Sequence, residues 1–182
     1  MKPLGITLGD PSGIGPEVTC KALATLPPEV RDRIVVIGDP GILARANEMT
    51  GAGLAIGNDV KVIAVDTPKK ESIRDGEISA GGGHAAYGYV VKAVEMARAD
   101  EISVIVTAPL NKTALHRAGH EYDGHTGLIQ HLCGAPSSFM LLYSDALSCI
   151  HVSTHLSLTE AIRRTRKARV LETIRAGNTH FR

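Results

Sequence analysis

An α/β fold built on a largely parallel sheet is what this 182-residue sequence predicts. Three observations carry the prediction. Short runs of branched apolar residues alternate with stretches of helical period as far as Leu110, the pattern of successive βα units. The joints between runs collect Gly, Pro, Asp and Asn, the residues that end elements and turn the chain. Hydrophobic residues make up 43% and charged residues 21%, the composition of a globular chain with a core to bury.

The elements follow in order. Leu4–Leu8 is short, apolar and branched at Ile6 and Thr7, and reads as a buried first strand. After "GDPSGIGPEV", a helix is predicted from Val18, Ala22, Leu23 and Leu26 at helical spacing. Pro16 and Glu17 suit its first turn and Pro27-Pro28 ends it. Arg33–Gly38 is the next strand, and Pro40–Thr50 a helix for which Gly51 is the natural stop. Val60–Val65 reads as a strand and Thr67–Glu77 as a polar loop. "SAGGGHAAYGYVVKAVEMARAD" reads as a glycine-rich loop followed by a helix to about Arg98. "ISVIVTAP" is a further buried strand and "LNKTALHRAG" a short helix, and from Gly124 "HTGLIQHLCG" begins another. "SSFMLLYS" and "LSCIHVST" read as two strands about a Ser-Asp-Ala turn. Leu158–Ala176 reads as one long helix whose Arg163, Arg164, Arg166, Lys167, Arg169 and Arg175 form a solvated face. The change from βα units to a hairpin divides the chain into a first α/β lobe, 1–122, and the start of a second lobe, 123–182.

Composition excludes several classes of function. A net charge of +1 marks neither a nucleic-acid nor a membrane-surface binder, and 3% aromatics without Trp leaves little for base stacking. No run is long enough to span a membrane, and the N-terminus is not a signal peptide. Cys20, Cys133 and Cys149 are odd in number and share no CxxC spacing, so they read as reduced thiols of a cytoplasmic protein.

"GDPSGIGPE" sits where an α/β fold receives phosphate, between a first strand and a first helix. It fails the dinucleotide fingerprint, because Val18 stands where the third glycine belongs, and it lacks the Lys-Ser/Thr of a P-loop. A tight turn and a cleft role for Asp10 and Ser12 stand level. In "TAPLNK", Lys112 opens a helix after a strand, where an ammonium can meet a phosphate or carboxylate; a solvated lysine is the plainer alternative. "HEYDGHTGLIQHLCG" holds His120, His125 and His131, spaced by five and six, so they do not converge as ligands at i, i+4 would. Cys133 has no thiol neighbour for a zinc knuckle. His125-Thr126 at a helix start is a better anion or hydroxyl binder. His151 and His155 share one face of an extended segment, but two imidazoles do not complete a catalytic site of about three protein ligands.

"TLGDPSGIGPE", "VTAPLNK", "GHT" and "THLSL", in this order, resemble the 4-hydroxythreonine-4-phosphate dehydrogenase family, which includes 4-phospho-D-threonate and 4-phospho-D-erythronate dehydrogenases. "DPSGIGPE" and "TAPLNK" lean towards the phospho-threonate branch. The resemblance implies a two-lobed fold like isocitrate and isopropylmalate dehydrogenases, with the active site in the cleft and at a homodimer interface. It implies metal-dependent oxidation of a small phosphorylated hydroxy acid with NAD or NADP, followed by decarboxylation, the divalent metal being zinc, cobalt, magnesium or manganese. It implies that His125 and Thr126 bind substrate and that His155 is the first of three metal-binding histidines; Lys112, by its position after a strand, is a further candidate for substrate binding. No catalytic acid or base is assigned. The sequence departs at Gly127, where the family more often carries Glu. The resemblance also implies that the second and third metal histidines would lie beyond residue 182, in a C-terminal half this sequence does not include. A lobe that dimerises or binds a phosphorylated ligand without turnover is the alternative. A hydrolase using "GDPSGIGPE" is disfavoured by the absence of a P-loop lysine and of clustered carboxylates.

Overall fold

The structure is a computed structural model that describes residues 2–68, 70 and 73–182. The polar loop expected at Thr67–Glu77 falls partly on Lys69, Glu71 and Ser72, which lie outside the described residues. The chain forms two compact units, Met1–Ala135 and Pro136–Arg182.

The first unit is built on a parallel sheet of β1 (Leu4–Thr7), β2 (Ile34–Gly38), β3 (Lys61–Ala64) and β4 (Val104–Thr107), in the order β3-β2-β1-β4. In register, Leu4 faces Ile34 on one side and Val104 on the other. Around the sheet run α1 (Gly15–Thr25), α2 (Pro28–Arg31), α3 (Pro40–Thr50), α4 (Ala80–Arg98), α5 (Lys112–Arg117) and α6 (His125–Cys133). Every residue of β2 is buried, because helices cover both faces of a parallel sheet. The period of two divides its side chains: Ile34 and Val36 pack with Leu23 of α1 and Leu43 of α3, while Val35 and Ile37 pack with Ala93 and Met96 of α4. α3 is bounded as the sequence predicts: Asp39 caps it through the amides of Gly41 and Ile42, and Gly51 ends it at φ 60°.

Several expectations are corrected. β4 is not fully buried: Val104 and Val106 are 49% and 43% exposed, β4 being an edge strand that among the described residues pairs with β1 alone. In α1, Val18 is exposed and Thr19, Cys20 and Leu23 face inward. The glycines expected in a loop before α4 lie inside the helix, whose N-cap is Ser79, accepting from the Gly82 amide. They are tolerated there because packing demands them. A Cβ on Gly83 would run into the backbone carbonyl of Ala114 in α5, and one on Gly82 would stand 2.6 Å from Asp10 Oδ1.

In the second unit, β5 (Leu141–Leu142) and β6 (Cys149–Ile150) form an antiparallel pair with Leu141 opposite Ile150, shorter than the two strands expected. The single long helix is two, α7 (Leu158–Arg164) and α8 (Lys167–His180). Thr165 ends α7, its hydroxyl donating back to the Ala161 carbonyl, and Arg166 is extended at φ −113°, ψ 154°. The basic face is not wholly solvated. Arg169 donates to the carbonyls of Val152 and Ser138, at 3.0 and 3.1 Å, and its guanidinium lies 4.3 Å from the Phe139 ring centre. Among the described residues, no helix is long and apolar enough to cross a membrane.

Candidate functional site

The C-terminal ends of β1 and β4 point at one edge of the sheet, the edge where open α/β folds bind ligands. Chain reversal after β1 is made at Gly9, whose φ of 69° lies in the left-handed region. The Asp10 amide then donates to the Pro109 carbonyl at 3.0 Å, joining the loop after β1 to the loop after β4. Asp10 Oδ1 accepts from the Ser12 amide at 2.9 Å, and both residues are buried. Burial pushes the Asp10 carboxyl up from its ordinary value, against the lowering effect of its hydrogen bonds to Ser12. The amino end of α4 closes in beside them at Gly82. Between these segments lies an open cleft of about 220 Å³, lined among others by Asp10, Ser12, Glu77 and Asn111.

Asn111 caps α5, accepting from the Ala114 amide at 3.0 Å, and so fixes the backbone from which Lys112 departs. The Lys112 side chain reaches the start of α6: its Cε stands 3.7 Å from where a Cβ on Gly124 would be. Gly124 has φ 134°, which explains the glycine of "GHT". It gives α6 no side-chain cap, so the first-turn amides are not tied up by one. His125 is half-buried, and its Nε2 is fully buried without a hydrogen-bond partner among the described residues. Burial holds the His125 pKa below the usual imidazole value. Thr126 and Lys112 are exposed. The structure therefore brings Lys112, Gly124 and His125 together at one helix start.

The remaining histidines are placed elsewhere. His131 lies against Tyr122, with ring centres 5.7 Å apart, and His120 stacks on Tyr87 beside His84. His151 donates its backbone amide to the Met140 carbonyl. His155 is exposed and takes φ 56°, a left-handed backbone uncommon outside glycine and associated with sites where function holds the chain. Among the described residues, no three His, Cys, Asp or Glu side chains gather closely enough to hold a metal ion. His155 alone does not make a metal centre. In the turn after β1, Gly15 serves chain packing, since a Cβ there would collide with the Leu8 carbonyl.

The contribution of α4 to this edge is the feature that sequence reasoning missed. Its signal was Ser79, an N-cap residue, two positions before Gly81-Gly82-Gly83.

Comparison with known proteins gives a consistent picture. The family model described as pyridoxal phosphate biosynthetic protein PdxA matches residues 30–182. The D-threonate 4-phosphate dehydrogenase of Cupriavidus necator is 37% identical over 192 residues, covering 96% of this chain and 56% of the relative. That of Salmonella typhimurium is 34% identical, covering 100% of this chain and 59% of the relative. The crystal structure of a 4-hydroxythreonine-4-phosphate dehydrogenase from Burkholderia phymatum superposes with a TM-score of 0.86 at 38% identity, covering 98% of this chain and 58% of that one. The chain thus spans somewhat over half the length of the relatives it matches.

Proposed function

We propose a function from one premise: the chain belongs to the PdxA family, the pyridoxal phosphate biosynthetic proteins whose model matches residues 30–182. The proposed activity of the whole protein is the oxidation of a small phosphorylated hydroxy acid by NAD or NADP, with decarboxylation. Candidate substrates are 4-phospho-D-threonate, 4-phospho-D-erythronate and 4-phosphohydroxy-L-threonine. The relatives' names support the substrate class, since two of them are D-threonate 4-phosphate dehydrogenases.

The observation that carries the reading on this chain is the start of α6. An uncapped helix N-terminus, a buried and unpartnered His125 Nε2 and the stem of Lys112 converge there. Free first-turn amides and an ammonium both favour an anion, and an orphaned polar nitrogen costs about 1–3 kcal/mol until something pairs with it. In the proposal, His125 and Thr126 hold the substrate's oxygens, and Lys112 neutralises its phosphate or carboxylate. His155 supplies one imidazole to a divalent ion. The described residues do not complete that ion's ligand set, so no chemical step is assigned to it on this chain. A homodimer and the division at 122/123 belong to the same proposal.

The test compares residues 1–182 with a longer polypeptide carrying the remaining length of the relatives. The longer chain should produce NADH from 4-phospho-D-threonate with a divalent metal, and lose both turnover and metal affinity in His155→Ala. The short chain should bind the substrate, more weakly in Lys112→Ala and His125→Ala, without producing NADH. Binding without turnover by both chains would favour the second reading, a lobe that only holds a phosphorylated ligand. Unaltered binding in both variants would remove the site from the start of α6.

A further inference from the structure

We propose that His84 and His120 form a two-imidazole site for a divalent late first-row transition ion, with zinc as the reference case. His84 lies in the first turns of α4 and His120 in the loop between α5 and α6. His84 Nδ1 and His120 Nε2 stand 3.2 Å apart. Two imidazole nitrogens on one tetrahedral zinc, each about 2.05 Å from the ion, stand about 3.3 Å apart. The spacing of the pair therefore already matches one edge of a coordination tetrahedron. As a hydrogen bond, the contact requires one ring to present N–H and the other a lone pair. With an ion between them, both nitrogens present lone pairs, and each ring keeps its proton on its other nitrogen. No net charge is lost.

The pair is held in place before any ion arrives. The His120 ring lies face to face with Tyr87, 3.6 Å between centres and 6° between planes, and Tyr87 is one turn along α4 from His84. The His120 amide donates to the Leu115 carbonyl at 3.1 Å, and the Tyr122 amide to the His120 carbonyl at 3.0 Å. His116 Nε2 reaches the Tyr122 carbonyl at 3.0 Å, fixing the loop from its other side. His84 is exposed, which gives an ion a route from solvent.

Two nitrogen donors, with water completing the shell, select among cations. Imidazole suits Zn²⁺, Ni²⁺ and Cu²⁺, whereas Mg²⁺ and Ca²⁺ prefer oxygen. Bound there, the ion would tie the amino end of α4 to the α5–α6 loop, and so stabilise the fold by mass action. The proposal does not depend on the dehydrogenase reading, because it uses neither His125 nor His155.

Zinc titrated alone into the 182-residue protein, followed by calorimetry and by thermal unfolding, provides the test. Wild type should bind one Zn²⁺ with micromolar affinity and melt at a higher temperature when it is present. His84→Ala and His120→Ala should each weaken binding at least tenfold and abolish the melting shift, while His155→Ala keeps both. If His120→Ala disturbs the fold through loss of its Tyr87 stack, imidazole NMR of the wild type replaces it: Ni²⁺ should broaden the His84 and His120 signals before any other. Undiminished zinc binding in His84→Ala, or Ni²⁺ broadening that spares both rings, overturns the proposal. Zinc affinity lost in His155→Ala but kept in His84→Ala overturns it too, and supports the metal ligand proposed for the dehydrogenase instead.

Discussion

His125 shows how a single side chain joins stability to binding. Burial disfavours its charged form, so its folded pKa lies below the value near 6.5 that it has in the unfolded chain. As pH falls through about 6.5, the unfolded chain takes up a proton that the folded chain refuses, and stability declines until the folded pKa is passed. Glutamine, which does not titrate, removes this loss. Urea midpoints at several pH values between neutral and mildly acidic should therefore fall less steeply in His125→Gln than in wild type. Equal slopes would mean that the imidazole is not desolvated. At this scale the sequence located the helix starts at Lys112 and His125, because "TAPLNK" and "GHT" mark a strand end and a helix start. It was silent on the His84–His120 contact, since no local spacing records that two residues 36 apart will meet.

Among the elements, α4 and α6 use glycine for opposite reasons. At Gly83 the missing Cβ lets α4 settle onto the backbone of α5. The obstacle is a carbonyl rather than a flexible side chain, so Gly83→Ala should cost about 3 kcal/mol, the upper end of the usual overpacking range. Around Gly127 in α6 nothing lies within 4 Å of a built Cβ. Gly127→Ala should therefore stabilise the protein by about 0.5–1 kcal/mol, the ordinary gain for replacing glycine within a helix. Chemical denaturation of the two variants checks both signs together. Element boundaries were legible where chemistry marks them, as at Asp39, Pro40 and Gly51 of α3. They were not legible where tertiary packing overrides local preference. The glycines of α4 read as loop because their use depends on Ala114 and Asp10, distant in sequence. The break at Thr165 was hidden by a continuous run of acceptable helix formers.

For the whole molecule, the parallel sheet was legible from strand and helix alternation, but the placing of β4 at its edge was not, since apolar pattern alone does not distinguish an edge strand from a central one. The second unit leaves Leu147, Leu158, Ile162 and Ile174 more than 60% exposed. Leu158 and Ile162, four residues apart on α7, share one face of that helix, and a contiguous exposed apolar face marks an interaction surface. The protein should form dimers or larger species at tens of micromolar by light scattering, and Leu158→Glu with Ile162→Glu should shift it towards monomer. A strictly monomeric wild type would rule this out.

The strand order also sets a timetable. β1 is made before β2 and β4 and sits inside the sheet, with β2 on one side and β4 on the other. Their meeting is sealed by the Ser103 hydroxyl donating to the Pro3 carbonyl, 100 residues away along the chain. Contacts between such distant segments are slow to form, because a long loop must close before either strand gains from the pairing. During synthesis, β1 can pair with β2 while β4 has yet to be made, which leaves one flank of the nascent sheet open to chaperones or to another chain. Pulse-labelled hydrogen exchange during refolding should accordingly protect the amides of β2 before those of β4, and simultaneous protection would show that the sheet closes in a single step.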